Sequence, residues 1–172
     1  MDAMEAMLTR RSVKKYKDTP VPRELLDKIV EAGLQAPSGL NKQSSIILVV
    51  TDKKIRDELS FVNAGKDPFK RADPFYGAPA VLVVLADKSV PFRVYDGSLV
   101  MENMLLAAHA LGLGACWIHR AKETFELPEW QQFLKDRGIE GEYEGIGNCI
   151  VGYPDMQPQA KPRKENRVYY VE

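Results

Sequence analysis

The sequence predicts an α+β fold with a mixed sheet, and three observations point there. Helical and strand-like segments interleave along 172 residues without the regular alternation of a doubly wound chain. Two continuous apolar, β-rich runs, Ile46–Val50 and Ala80–Ala86, have strand length and read as buried strands. Around them, apolar residues recur at helical spacing between Pro, Gly and capping residues. A single domain spanning residues 1–172 is expected, with no linker, repeat or low-complexity tract.

Taken in order, residues 2–9 read as a short helix running into a basic segment. Pro22 suits the first turn of a second helix, where its missing N–H costs nothing. Leu25, Leu26, Ile29, Val30 and Leu34 form the apolar stripe of that helix. Pro37 ends it, and Ser38-Gly39 opens a loop. Beyond the first strand, Asp52 is placed to cap a helix over residues 53–61. Residues 63–79 are irregular, rich in Gly, Pro, Asp and Lys, with Phe69, Phe75 and Tyr76 interspersed. They read either as a surface loop with aromatic anchors or as a lid over a pocket.

Tyr95–Leu111 is the strongest helix. Leu99, Val100, Met104, Leu105, Leu106, Ala107, Ala108 and Ala110 cover more than one of its faces. Such a helix must be buried on several sides, which in so small a protein implies that a partner subunit covers one of them. Gly112 and Gly114 terminate it. Gly114–Ile118 reads as a strand. Pro128 opens a further helix with Trp130, Phe133 and Leu134 inward and Gly138 as its stop. Ile146–Val151 is a strand, and Val168–Val171 a short last one.

Acidic and basic residues balance to a formal charge of zero, so nothing global favours nucleic acid or an anionic membrane. No run of about 18 apolar residues exists, so no membrane-spanning helix is expected. The opening Met1-Asp2-Ala3-Met4-Glu5 lacks the apolar core of a signal peptide. The two cysteines, Cys116 and Cys149, form no disulfide framework and fit a reducing, cytoplasmic setting. Cys116 and His119 have C-x2-H spacing, with His109 and Cys149 elsewhere, but a structural zinc site draws ligand pairs from both halves. Buried, inert thiols are the expectation, and no metal. The chain has no G-x-S-x-G elbow, no P-loop and no G-x-G-x-x-G; Gly112-x-Gly114 follows a helix, the wrong context for a dinucleotide turn.

Two basic clusters stand out. Arg10, Arg11, Lys14, Lys15 and Lys17 crowd one segment together with Ser12, and Lys161, Arg163, Lys164 and Arg167 crowd another. Either one alone reads as a solvated face or tail. Two in one small domain strengthen the case for a shared anionic ligand, because the Arg fork matches a phosphate bidentately. His119 and Arg120 read as pocket lining or as ordinary strand-end residues.

Five segments, in this order, carry a resemblance. They are Thr9-Arg10-Arg11-Ser12-Val13-Lys14-Lys15-Tyr16, Ala36-Pro37-Ser38-Gly39-Leu40-Asn41-Lys42-Gln43, Leu111-Gly112-Leu113-Gly114-Ala115-Cys116-Trp117-Ile118, Gly152-Tyr153-Pro154 and Lys161-Pro162-Arg163-Lys164. Together they resemble the nitroreductase family of FMN-dependent oxidoreductases, almost from end to end. The resemblance implies a mostly antiparallel sheet flanked by helices, in an intertwined homodimer with FMN at the interface and a C-terminal segment embracing the partner.

The resemblance also implies roles. Arg10, Ser12 and Arg163 match positions that hold the FMN phosphate and ribityl chain, with Arg11 beside them and Lys161 at a less constant position. Lys14 matches a basic residue at the flavin N1/C2-carbonyl edge, where two-electron reduction leaves negative charge. Pro37, Ser38, Gly39 and Asn41 match a segment that reaches the flavin across the dimer interface. Trp117, Ile118 and His119 stand where the family presents backbone groups near flavin N5. Many relatives have a small residue in place of His119, and Pro with an aromatic residue in place of Ser44-Ser45, so a relative's substrate preference does not transfer.

The implied activity has NAD(P)H as a transient reductant. A small electron-poor acceptor, a nitroaromatic or a quinone, then takes two electrons from the flavin in ping-pong fashion, with no catalytic side chain needed. The alternatives are a flavin-binding or sensor protein with little turnover, a dehalogenase, or a flavin-fragmenting enzyme.

Overall fold

The computed structural model describes residues 1–65 and 73–172. Its centre is the apolar run Ala80–Asp87 (β2), in which every residue from Ala80 to Ala86 is at most 1 % exposed. A strand apolar on both faces needs cover on both, and the alternation of side chains divides it between two layers. Leu82 and Val84 join Leu26, Ile29, Met101 and Met104 on one side. Val81, Val83 and Leu85 join Leu59, Phe75, Phe125 and Trp130 on the other.

β2 pairs antiparallel with Ser45–Val50 (β1) and with Tyr143–Gly152 (β4), and β4 pairs antiparallel with Gly114–Ile118 (β3). The strand order is β1-β2-β4-β3. The parallel component of the expected mixed sheet is confined, among the described residues, to an isolated Ser12–Ala115 bridge. β4 runs longer than the expected Ile146–Val151, because Ile146 forms a bulge: Val84 lies opposite Gly147 and Leu85 opposite Gly145. β1 corrects the expectation of a buried strand. Only Val50 in it is buried, because β1 lies at the sheet edge with a neighbour on one side alone.

The helices follow from their ends. Asp2 caps Ala3–Thr9 (α1), accepting the Glu5 N–H at 2.8 Å, and Asp52 caps Lys53–Asn63 (α3), accepting the Ile55 N–H at 2.9 Å. Pro22 is the N-cap of Arg23–Leu34 (α2) rather than part of its first turn, its ψ of 141° being extended. Arg93–Ala110 (α4) lays Val100, Met101, Met104, Leu105 and Ala108 on the sheet. It ends where Gly112 turns left-handed (φ 76°) and the Leu113 N–H reaches back to the Ala108 carbonyl at 2.8 Å. Gly114 then opens β3 instead of ending the helix. Pro128–Lys135 (α6) starts on its proline. Ala121–Phe125 (α5), too short to leave a periodic signal, is an addition to the expected elements.

The expected last strand does not form. Val168, Tyr169, Tyr170 and Val171 are 69 to 98 % exposed on a C-terminal tail without regular structure. A strand needs a neighbouring backbone to pair with, and among the described residues none pairs with this segment. The expected cover over α4 is also incomplete: Val94, Tyr95 and Leu99 are exposed. Phe69 and the middle of the 63–79 segment lie outside the described residues. Among the described residues, no helix is long and apolar enough to cross a membrane.

Gly145 lets β4 and α5 touch: a Cβ there would stand 2.3 Å from the carbonyl carbon and oxygen of Ala121. Backbone cannot swing aside as a side chain can. Gly145→Ala is expected to lower stability by about 2–3 kcal/mol, seen as an earlier urea midpoint by circular dichroism. An unchanged midpoint would show the contact to be soft.

Candidate functional site

Residues 12–17 run extended between β3 and the chain that leaves β4. The Val13 N–H donates to the Ala115 carbonyl at 3.1 Å, the Lys17 N–H to Tyr153 at 2.9 Å, and the Asp155 N–H to Lys15 at 3.0 Å. Val13 and Tyr16 are the buried anchors, and the Tyr16 hydroxyl donates to the Val13 carbonyl at 2.7 Å. Burial, with the nearby thiols, pushes the Tyr16 phenol far up, so it remains a neutral donor. Gly114 makes the approach possible: a Cβ there would lie 2.8 Å from the Val13 side chain. With Val13 turned inward, the period of two leaves Ser12 and Lys14 exposed on the opposite side.

The start of this segment borders a cavity of about 440 Å³, lined by Arg10, Arg11, His109, Gly112, Ala115 and Met156 among others. The Arg10 side chain is 23 % exposed, and its only carboxylate neighbour among the described residues is Glu102 at 3.9 Å. Its Nη1 is buried and has no hydrogen-bond partner among the described residues. Arg11 differs: its Nη1 donates to the carbonyls of Arg10 (2.6 Å) and Leu8 (3.0 Å), so it braces the backbone. The Thr9 hydroxyl donates to the Glu5 carbonyl, which leaves His109 Nε2 as the donor in their 2.8 Å bond. Burial, then Arg10 and Arg11, hold the His109 pKa below its usual value, so the ring is neutral at pH 7.

Lys14 Nζ stands 5.9 Å from the centre of the Tyr76 ring. Tyr76 adopts a left-handed φ of 56° in a turn fastened by Asp73. Asp73 accepts from the Phe75 and Gly77 N–H groups (2.9 and 2.6 Å), from the Ser60 hydroxyl (2.6 Å) and from Arg56 Nη2 (2.5 Å). Arg56, only 8 % exposed, also donates to the Ala78 carbonyl at 3.1 Å. Burial alone would raise the Asp73 carboxyl; the bonds from Arg56, Ser60 and Gly77 outweigh it and hold the group below the usual carboxylate range. Sequence reasoning missed this anchor, since nothing in the spacing of Arg56 and Asp73 marks them as partners.

The remaining expected site residues lie elsewhere. Pro37 and Ser38 line a second cavity of about 140 Å³ with Leu34, Ser44, Ser45 and Asp96. The Gly39 N–H donates to Asp96 Oδ1 at 3.0 Å, and a Cβ on Gly39 would meet the Phe92 ring at 2.5 Å. Asn41 Oδ1 accepts from Gln43 Nε2 at 3.1 Å, and Leu40, Asn41 and Gln43 all adopt left-handed φ values of 47 to 52°. Trp117 and Ile118 end β3 and His119 follows it, with the Trp117 and His119 ring centroids 5.8 Å apart. The Ile118 carbonyl accepts from fully buried Asn148 at 3.5 Å, and Asn148 also donates to Asn63 at 3.0 Å. The apolar run around Asn148 concealed it from sequence reasoning. Lys161 and Arg163 lie exposed on the tail, beyond the cavity-lining Gln159.

One chain therefore gathers Arg10, Arg11, Ser12 and Lys14 but leaves the Pro37–Asn41 segment at the other end of α4. From Asp96 to His109 that helix rises about 20 Å. Among the described residues, no group of three or more His, Cys, Asp and Glu side chains could hold a metal ion. Cys116 and Cys149 join opposite core layers, and burial, then Cys116, push the Cys149 thiol up to about 12.

Comparison with known proteins agrees with this architecture. The sequence model of the Nitroreductase family matches residues 7–66 and 60–153. A Methanothermobacter thermautotrophicus protein named for NADH dehydrogenase/NAD(P)H nitroreductase activity is 34% identical over 142 residues, 75% of this chain and 71% of that protein. An iodotyrosine deiodinase from Thermotoga neapolitana is 27% identical over 94% of this chain and 93% of its own. A crystal structure of an FMN-bound nitroreductase from Bacteroides fragilis superposes with a TM-score of 0.89 at 27% identity, covering 100% of both chains.

Because the Asp73 pKa is depressed by folding, its stabilisation is present above the unfolded value of about 3.9 and is lost as pH falls through the folded one. Asp73→Asn is expected to cost about 1–3 kcal/mol at pH 7 and to flatten the fall of Tm below about pH 4. Superimposable Tm-against-pH curves for the two proteins would reject the anchor.

Proposed function

Since this chain belongs to the nitroreductase family, we propose that it is an FMN-dependent oxidoreductase passing two electrons from NAD(P)H to an electron-poor small molecule such as a nitroaromatic or quinone. The observation that carries this reading is Arg10, in the wall of a cavity of about 440 Å³, whose buried Nη1 has no partner among the described residues. A half-buried guanidinium with a buried, unused donor calls for an anion, and the neutral His109 leaves that anion to it. The cavity falls within the range of small-molecule sites. These residues fit a flavin phosphate.

Arg10 and Ser12 would hold that phosphate, joined by Lys161 and Arg163 of the tail. FMN, when bound, supplies a two-electron acceptor and donor at its N5. Lys14 would keep a positive charge at the flavin edge where electron density rises on reduction. The backbone bonds on either side of residues 12–17 hold that charge in place, and the Asp73 anchor holds the Tyr76 ring beside it. Trp117, Ile118 and His119 would border the ring system. The chain carries no dinucleotide-binding turn, so NAD(P)H and the acceptor would use one open face in succession, which is ping-pong behaviour.

The same reading calls for a homodimer. Pro37, Ser38, Gly39 and Asn41 lie about 20 Å along α4 from the Arg10 cavity. Two chains related by a two-fold axis, with their α4 helices antiparallel, would bring one chain's 37–41 turn to the other's Arg10. Exposed Met4, Met7 and Leu8 on α1, with Tyr95 and Leu99 on α4, supply apolar surface for such a contact.

A second reading, reductive dehalogenation of a phenol, is favoured by the near-complete mutual coverage with the Thermotoga neapolitana deiodinase. Iodide release from 3-iodotyrosine, measured beside nitro and quinone reduction on one preparation, separates the two.

Arg10→Ala is expected to weaken FMN binding about 10- to 100-fold, measured by fluorescence titration; unchanged affinity would refute the phosphate placement. Lys14→Met is expected to keep FMN but to slow its bleaching by NAD(P)H about 10- to 100-fold in stopped flow. An unchanged rate would remove Lys14 from the redox role.

A further inference from the structure

We propose that the cavity at the N-terminal end of α4 binds a compact monovalent cation, an alkali ion or an ammonium group, through Asp96, Ser44 and Ser45. This cavity is separate from the one at Arg10. Asp96 is 5 % and Ser44 7 % exposed, and Ser45, half-buried, follows Ser44 in sequence. Asp96 Oδ2, Ser44 Oγ and Ser45 Oγ are all buried without a hydrogen-bond partner among the described residues. All three residues line the same cavity of about 140 Å³. A buried polar atom left unmatched is destabilising, and a carboxylate oxygen most of all. Three of them around one space describe a ligand rather than three separate defects.

The chemistry of the three atoms selects the ligand. A carboxylate oxygen only accepts, and hydroxyls can turn their lone pairs inward. The other Asp96 oxygen is already engaged by the Gly39 N–H at 3.0 Å, and α4 contributes its positive end to the same carboxylate. Oδ2 is what remains. No Lys, Arg or His lines the cavity, and Asp96 forms no ion pair among the described residues. One carboxylate and two hydroxyls suit a single positive charge; a divalent ion is usually held by several oxygen ligands with more carboxylate charge. A space of about 140 Å³ admits such an ion with accompanying water, each water claiming about 30 Å³. The apolar walls, Leu34, Pro37 and Val100, equally suit the carbon of a small alkylammonium.

The site has a structural consequence. Asp96 holds Gly39, and Gly39 leads the turn in which Leu40, Asn41 and Gln43 are left-handed. A cation on Asp96 would tie the first turn of α4 to the strained turn. This last clause rests on the redox reading, in which that turn faces the flavin of a second chain; the binding site itself does not.

The test is thermal unfolding of the full chain at constant ionic strength in sodium, potassium, ammonium and methylammonium chlorides, against choline chloride. A saturable rise in Tm of about 3–5 °C is expected at tenfold excess over the dissociation constant in at least one of the compact salts, and none in choline. Alkali salts acting alone would identify an inorganic ion, and methylammonium acting more strongly an organic amine. Asp96→Asn keeps an oxygen for the Gly39 N–H and removes the charge, so it should abolish the rise. If that variant does not fold, the Ser44→Ala/Ser45→Ala pair decides, with an apparent dissociation constant raised about tenfold. Equal Tm in every salt, a rise that persists in Asp96→Asn, or an apparent dissociation constant unchanged in the serine pair overturns the proposal. So does a rubidium-soaked crystal with only water at Asp96 Oδ2. Because Tm is read without flavin chemistry, failure here leaves the Arg10 reading untouched, and failure of FMN titration leaves this one untouched.

Discussion

Burial of β2 on both faces is the constraint on which the rest of the structure depends. A strand with Leu82 and Val84 on one side and Val81, Val83 and Leu85 on the other forces two layers of helices onto the sheet. α4 crosses one face because its Val100, Met101, Met104 and Leu105 are the residues that can cover it. That placement sets Asp96 at one end of the layer and His109 at the other. The approach of residues 12–17 to β3 follows from the same sheet, since Ala115 and Tyr153 offer free carbonyls only where β3 and the end of β4 lie side by side.

Charge is left incomplete at both ends of α4, with opposite sign. Among the described residues, a half-buried guanidinium at the C-terminal end keeps one buried donor unused, and a buried carboxylate at the N-terminal end keeps one acceptor unused. Elsewhere the protein satisfies such groups: Arg56 and Asp73 fill each other's bonds, and Arg93 meets Glu144 at 2.7 Å. The incomplete groups border cavities, whereas the complete ones join elements: Arg56 ties α3 to the Asp73 turn, and Arg93 ties α4 to β4. A helix about 27 Å long keeps the two open charges apart, so no rearrangement of one chain lets them neutralise each other.

Much of this was legible in the sequence. The runs at Ile46 and Ala80, the cap at Asp52, and Gly112 after an apolar helix each follow from local chemistry, and each is found. The Arg10–Lys14 segment announced itself by charge density. What could not be read depends on distance through space. Asn148 looks like part of an apolar strand until Asn63 and the Ile118 carbonyl are seen beside it. Asp73 is one acid among many until Arg56 arrives from α3. β1 reads as buried because a row of Ile and Val does not say whether a neighbour stands on one side or two. Val168–Val171 has the composition of a strand, yet pairing is a property of two backbones, and composition describes only one.

The threading of residues 12–17 has a consequence for what this chain can inherit. Hydrogen bonds to Ala115 on one side and to Tyr153 and Asp155 on the other fix both ends of the segment. Inserting or deleting one residue between them would turn Val13 outward and Ser12 or Lys14 into the core. Side chains at 12, 14, 15 and 17 can drift, since they are exposed. The number of residues cannot. Among descendants of this gene, gaps should accumulate on either side of the basic segment and not inside it. The length of the segment is the more faithful record of its task than the letters that compose it.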